Sequence, residues 1–113
     1  MLPQTVTLAR TFRQQIAAAT DVTLSMRCPL NGVITQVNPH FPSGCNALVG
    51  IKFGTDRHGQ CFPDTGFLAL DNASPVFAVN ITVEYDERLW MEVQNGDAVN
   101  PHTPSLTLTI VGR

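Results

Sequence analysis

Strict alternation of apolar and polar residues runs through this chain from one end to the other. Ser105-Leu106-Thr107-Leu108-Thr109-Ile110 puts Leu106, Leu108 and Ile110 on one face and hydroxyl groups on the other. Phe77-Ala78-Val79-Asn80-Ile81-Thr82-Val83 and Val22-Thr23-Leu24-Ser25-Met26-Arg27 repeat the pattern. Successive side chains of a strand point to opposite faces of a sheet, so this period implies half-buried strands with one wet face. No stretch of comparable length carries a helical period. The expected fold class is all-β.

The 113 residues suit one domain spanning 1–113. That length buries a core without metal or disulfide staples. Turn signals divide the chain into about eight strands. The first covers Thr5 to Phe12, and residues 1–21 read as an N-terminal strand followed by an arm or one helical turn at the Ala17-Ala18-Ala19 triplet. Val22–Cys28 and Val33–Asn38 flank an Asn31-Gly32 turn signal and read as a hairpin. Pro39 to Asn46 reads as a connection, because two prolines and a glycine do not suit a central strand. Ala47–Phe53 comes next, then the polar loop Gly54–Gly59, a short edge segment Gln60–Phe62 stopped by Pro63, and Phe67–Leu70. The last strands are Phe77–Glu84, Glu87–Asn95 and Ser105–Val111, the first two joined by a tight turn at Tyr85-Asp86. Such a set implies a two-sheet antiparallel β-sandwich with jelly-roll-like or Greek-key connections. An immunoglobulin sandwich ranks second, since its Cys…Trp…Cys framework is missing and Trp90 follows all three cysteines.

Charged residues make up 14% of the chain, against about 25% in ordinary domains. A polar surface with few charges is cheaply desolvated by a covering protein. The net charge is −2, Lys52 is the one lysine, and the arginines are scattered. Without a basic stripe, nucleic acid is not an expected partner. No apolar run reaches membrane-spanning length, so no membrane is expected. The N-terminus lacks the basic start and apolar block of a secretory signal, which points to a protein made in a cytoplasm.

Candidate chemistry is sparse. His40, His58 and His102 all fall in loops beside Pro or Gly, outside any HxH or HExxH spacing. A cupin-type metal enzyme needs several such ligands converging inside the barrel. Cys28, Cys45 and Cys61 make an odd set, read as reduced thiols with a Cys45–Cys61 bridge as the alternative. Glu84, Asp86 and Glu87 read as a solvated turn, not a glycosidase pair. Asp56, Asp64, Asp71 and Asp97 lie in loops without calcium-loop spacing. No catalytic residue, cofactor or metal site is expected. Trp90 is the most suggestive single residue. In Leu89-Trp90-Met91-Glu92-Val93 it shares the outward phase with Arg88 and Glu92, either as an interface anchor, or packed under the N-terminal arm, or on a strand covered on both faces.

The chain as a whole resembles small β-sandwich or jelly-roll virion proteins, in particular the decoration (cement) proteins of tailed-phage heads. The resemblance is one of type. It covers the Thr-rich start, the few lysines, the strand pattern, and the segments Phe41-Pro42-Ser43-Gly44-Cys45-Asn46, Phe67-Leu68-Ala69-Leu70-Asp71 and Asn95 to Thr103. No residue's role carries over from it. The resemblance implies a non-enzymatic structural protein of the virion that binds and stabilises a capsid-type lattice as a homo-oligomer, a trimer being the first expectation. Arg10, Phe12, Arg13 and Trp90 are the expected partner-binding residues. A carbohydrate- or receptor-binding module of a spike or fibre is the alternative.

Overall fold

Nine strands build two antiparallel sheets in the computed structural model, which describes residues 5–113. They are β1 (Val6–Arg13), β2 (Thr20–Arg27), β3 (Gly32–His40), β4 (Val49–Thr55), β5 (Gly59–Phe62), β6 (Leu68–Ala69), β7 (Phe77–Val83), β8 (Arg88–Asn95) and β9 (Ser105–Gly112). One sheet has the order β1-β9-β3-β7. The other has the order β2-β8-β4-β5, with β6 also paired to β4. Thus β1 lies beside β9, β2 beside β8, β3 beside β7 and β4 beside β5. The first half of the chain pairs with the second half run backwards. Rolling up that long hairpin sends successive strand pairs to alternate sheets, which is the winding of a jelly roll. The expected two-sheet sandwich is the observed one.

The alternating residues fill the space between the sheets. Leu89, Met91 and Val93 of β8 and Leu106, Leu108 and Ile110 of β9 are fully inaccessible to solvent, as are Val49, Ile51 and Phe53 of β4. The Phe12 and Phe53 rings meet at a centroid distance of 6.2 Å. The ladders are irregular between β4 and β5 at Phe53/Gly54 and on β3 at Ile34-Thr35-Gln36-Val37. There β3 carries a bulge that shifts its register to both neighbours. The extra residue turns Ile34 and Val37 to the same inner face despite their odd separation.

Three local expectations are corrected. Val22–Asn38 is not a hairpin, because β2 pairs with β8 and β3 pairs with β9 and β7. Neither Asn31 nor Gly32 has the positive φ of a type I′ turn. Instead Asn31 exchanges backbone hydrogen bonds with Arg113 (3.1 and 2.9 Å) and its Oδ1 accepts from the Tyr85 N–H. The Tyr85-Asp86 turn is tight, with Asp86 at φ 69°, yet it joins β7 and β8 across the two sheets instead of within one. Finally β3 runs through Pro39 to His40. Its ladder with β7 ends at Val37–Phe77, so Pro39 sits where β3 is an edge on that side.

The segment 14–19 does not reach away from the domain. Ile16 is 1% exposed and exchanges backbone hydrogen bonds with His102 at 2.8 and 3.1 Å. The buried Asn95 fastens this segment: its Nδ2 donates to the carbonyls of Ile16, Ala17 and Asn100, and its Oδ1 accepts from the Asp97 N–H. Residues 1–4 of the expected N-terminal strand and arm lie outside the described residues.

Asn95→Ala removes all of these bonds and leaves buried backbone groups unpaired. It is expected to lower stability by about 2–3 kcal/mol in urea unfolding. A loss below about 0.5 kcal/mol, the range of inert surface changes, would contradict the latch.

Candidate functional site on the open side of the sandwich

The two long sides of the sandwich differ. On the β5–β7 side, cross-links close the gap between sheets. His58 Nε2 lies 2.9 Å from the Thr82 carbonyl, and Arg57 donates to the same carbonyl at 3.0 Å. Arg57 also pairs with Glu84 at 2.7 Å, and the Phe62 and Phe77 rings stack at 4.9 Å. On the opposite side, β1 and β2 are the free edges of the two sheets. Among the described residues no hydrogen bond joins them.

That open side exposes core-phase residues. Val22, Leu24 and Met26 face the interior opposite Val93, Met91 and Leu89 of β8. The β8 residues are fully buried while the β2 residues are half-exposed. On β1 the inward phase is Val6, Leu8, Arg10 and Phe12, paired with Gly112, Ile110, Leu108 and Leu106. Val6 is 45% exposed and Leu8 partly so. A depression of about 380 Å³ lies between the edges, lined by Thr11, Phe12, Arg13, Leu24, Ser25 and Met26 among others.

Of the expected contact residues, three lie here. Arg10 and Arg13 are exposed on β1 and have no ion-pair partner among the described residues. Phe12 is a correction. At 3% exposure it belongs to the core, so it floors the depression and is not an outer contact. Its inward phase was legible from Leu8 and Val6, which share it.

Trp90 lies elsewhere, on the outer face of the β2-β8-β4 sheet, between Ser25 and Gly54 in the ladder. A Cβ at Gly54 would collide with Trp90 Cζ2 and with the Gly59 carbonyl oxygen. Two pleat repeats along the strand, a Cβ at Gly50 would meet Phe67 Cβ at 2.8 Å. The two glycines of β4 thus let two aromatic side chains lie across the strand. Lys52 sits between them, 4.6 Å from the Phe67 ring centre and 3.5 Å from Glu92. Trp90 is accordingly half-buried, with its ring against Gly54.

The titratable groups form no convergent reactive set. Cys28, Cys45 and Cys61 are free, and burial raises each thiol above its ordinary value, the opposite of activation. His40 Nδ1 lies 2.6 Å from Ser74 Oγ. The acidic turn is partly neutralised, since Arg57 lies 2.7 Å from Glu84 and 3.9 Å from the buried Glu87 Oε2. Among the described residues no group of three or more His, Cys, Asp or Glu is placed to hold a metal ion. Asp97 is a loop organiser: it accepts from His102 Nε2 at 2.9 Å and from the N–H groups of Val99 and Asn100. These bonds, that from His102 foremost, hold its carboxyl well below the usual carboxylate range.

No family model matches the chain, and no curated protein matches it in sequence. Among solved structures the chain is similar to FLHE, with a TM-score of 0.52 and 14% identity over 98% of this chain and 99% of that one. It is also similar to the Yersinia pseudotuberculosis-derived mitogen (YPM), with a TM-score of 0.52 and 11% identity over 93% of this chain and 87% of that one. At these identities the likeness is one of fold.

Two outcomes follow from this geometry. Asp97 is ionised far more readily folded than unfolded, so its contribution to stability is complete above its unfolded value of about 3.9 and is lost as pH falls below it. Unfolding free energy measured from about pH 5 down to pH 2 should therefore decline, and Asp97→Asn should flatten that decline while lowering stability at neutral pH. An unchanged slope would refute the role given to this carboxylate. Gly54→Ala should cost about 1–3 kcal/mol by overpacking and shift Trp90 fluorescence towards the emission of exposed indole. Unchanged emission and stability would show that Trp90 does not rest on β4.

Proposed function

We propose that this chain is a non-enzymatic structural protein that docks onto a protein lattice and stabilises it, a tailed-phage capsid being the lattice of first choice. One observation carries the reading. Among the described residues, the β1–β2 side leaves core-phase apolar residues half-covered between two strand edges without a further strand, with two arginines that have no ion-pair partner beside them. Edge strands are normally blunted by charged side chains, lysine above all, by proline or by a bulge; on β1 the charge is carried by Arg10, in the inward phase, and Arg13. Neither β1 nor β2 contains a lysine or a proline, and each runs in unbroken register with its one neighbour. Such a strip is stabilised by a covering protein that supplies apolar contacts and carboxylates for Arg10 and Arg13. Jelly rolls are used in viral shells, lectins and cupins alike, so the fold supports the reading by analogy and no more.

The carbohydrate reading rests on Trp90, a half-exposed indole flanked by the Lys52–Glu92 and Arg88–Asp56 pairs. It is the second choice, because the ring is already packed against Gly54.

The test is co-sedimentation. Particles pelleted from an extract of the cells that make the chain should carry it together with a shell protein. Arg10→Glu/Arg13→Glu should shift it to the supernatant, weakening attachment by about tenfold or more, which is at least 1.4 kcal/mol. Recovery of the native chain solely in the supernatant would reject the lattice role. Thermal stabilisation by a glycan that Trp90→Ala abolishes would favour the second reading.

A further inference from the structure

We infer that the β2 edge pairs with the β2 edge of a second copy, antiparallel about a two-fold axis at Leu24, joining two sandwiches through one continuous sheet. The inference rests on the reading of the open side as a protein-docking surface. It assigns β2 to self-association and leaves β1, with Arg10 and Arg13, for the lattice.

The backbone of β2 is ready for such pairing. Its eight residues run against β8 from Thr20–Asn95 to Arg27–Arg88 without a register shift. The Cys28 N–H donates to the Glu87 carbonyl at 2.8 Å, one step beyond that ladder and in the same register. Hydrogen-bonded positions alternate along an antiparallel pair. The backbone groups of Val22, Leu24 and Met26 therefore point to β8, and those of Asp21, Thr23, Ser25 and Arg27 point to the open edge. An antiparallel copy centred on Leu24 sets Thr23 opposite Ser25 of the second copy and Asp21 opposite Arg27 of the second copy. These odd-numbered positions are the ones with free donors and acceptors on that side.

The side chains select this register. Asp21 and Arg27 stand three residues to either side of Leu24, on the outer face of the strand, and both are exposed. Neither has an ion-pair partner among the described residues. Arg27 instead lies opposite Arg88 of β8 and reaches only the Asp86 carbonyl, at 3.2 Å. The two-fold pairing brings Asp21 and Arg27 together twice, and opposite charges directly across strands are stabilising. On the inner face, Leu24 meets its own copy and Val22 meets Met26. These are the residues whose half-exposure distinguishes β2 from the buried β8 beside it. The charge pattern is self-complementary only in the antiparallel sense, which gives a closed dimer with identical contributions from both copies.

Sedimentation equilibrium on the full chain tests the inference. The native protein should be dimeric, with no trimer. Asp21→Arg or Arg27→Asp alone sets like charges opposite each other at two places and should weaken the dimer by about tenfold or more. The double swap Asp21→Arg/Arg27→Asp restores complementarity and should restore dimerisation. Both residues are exposed, so the single variants should retain the native far-UV circular dichroism and unfold cooperatively, which separates lost pairing from lost folding. Leu24→Cys should cross-link two copies under mild oxidation, because the axis passes through that position. A native chain that stays monomeric up to about 1 mM, a trimer, a dimer indifferent to the single reversals, or singles that the double swap does not rescue would each overturn the inference. The charge swap leaves Arg10 and Arg13 untouched. Loss of dimer with retained sedimentation on particles therefore separates failure here from failure of the lattice reading.

Discussion

The structure depends on the meeting of two apolar rows, one from β8 and one from β9. Each of these strands is hydrogen-bonded on both sides, and each sends every second residue into the same closed interior. Leu89, Met91 and Val93 from one sheet and Leu106, Leu108 and Ile110 from the other leave no room for water. Desolvation of those side chains is the main force holding the layers together. The outer strands borrow that stability. β1 and β2 each lean on one central strand and cover only part of their own apolar face.

This arrangement explains the asymmetry between the two sides of the sandwich. The β5–β7 side is stitched by Arg57, His58 and the Phe62–Phe77 contact. The side formed by β1 and β2 carries no such stitching among the described residues. The residual exposure of Leu8, Val22, Leu24 and Met26 goes with their place on the edge strands, each of which has a neighbour on one side alone in its sheet. The proposed docking falls on this side because, among the described residues, it joins unpaired backbone, half-covered apolar surface and charges without ion-pair partners within the span of two strands.

The outer sheet face around Trp90 obeys another constraint. The sequence places Gly50 inside a strand and Gly54 at the start of a loop, whereas β4 runs through both. Their reason emerges from the ladder, which sets Trp90 beside Gly54. A large aromatic in an outward phase can be a contact residue or a lid over its own sheet. The missing Cβ of Gly54, 36 positions away in the chain, makes it, in large part, a lid.

The sequence by itself determined the strand class, most strand positions and the inward phase of the regularly alternating strands, while Phe12, Ile16 and Phe41, all buried, were not among its expected core residues. A period of two is a local property, and burial follows from it directly. It also carried Arg10 and Arg13 as surface candidates. Pairing was decided only by the tertiary structure. Val22–Cys28 and Val33–Asn38 are neighbours in the chain with a turn signal between them, yet their hydrogen bonds go to β8 and to β9 and β7. Backbone groups are alike at every residue, so nothing local says which strand will satisfy them. That choice falls to the packing of the whole core, and with it the decision of which two edges remain open.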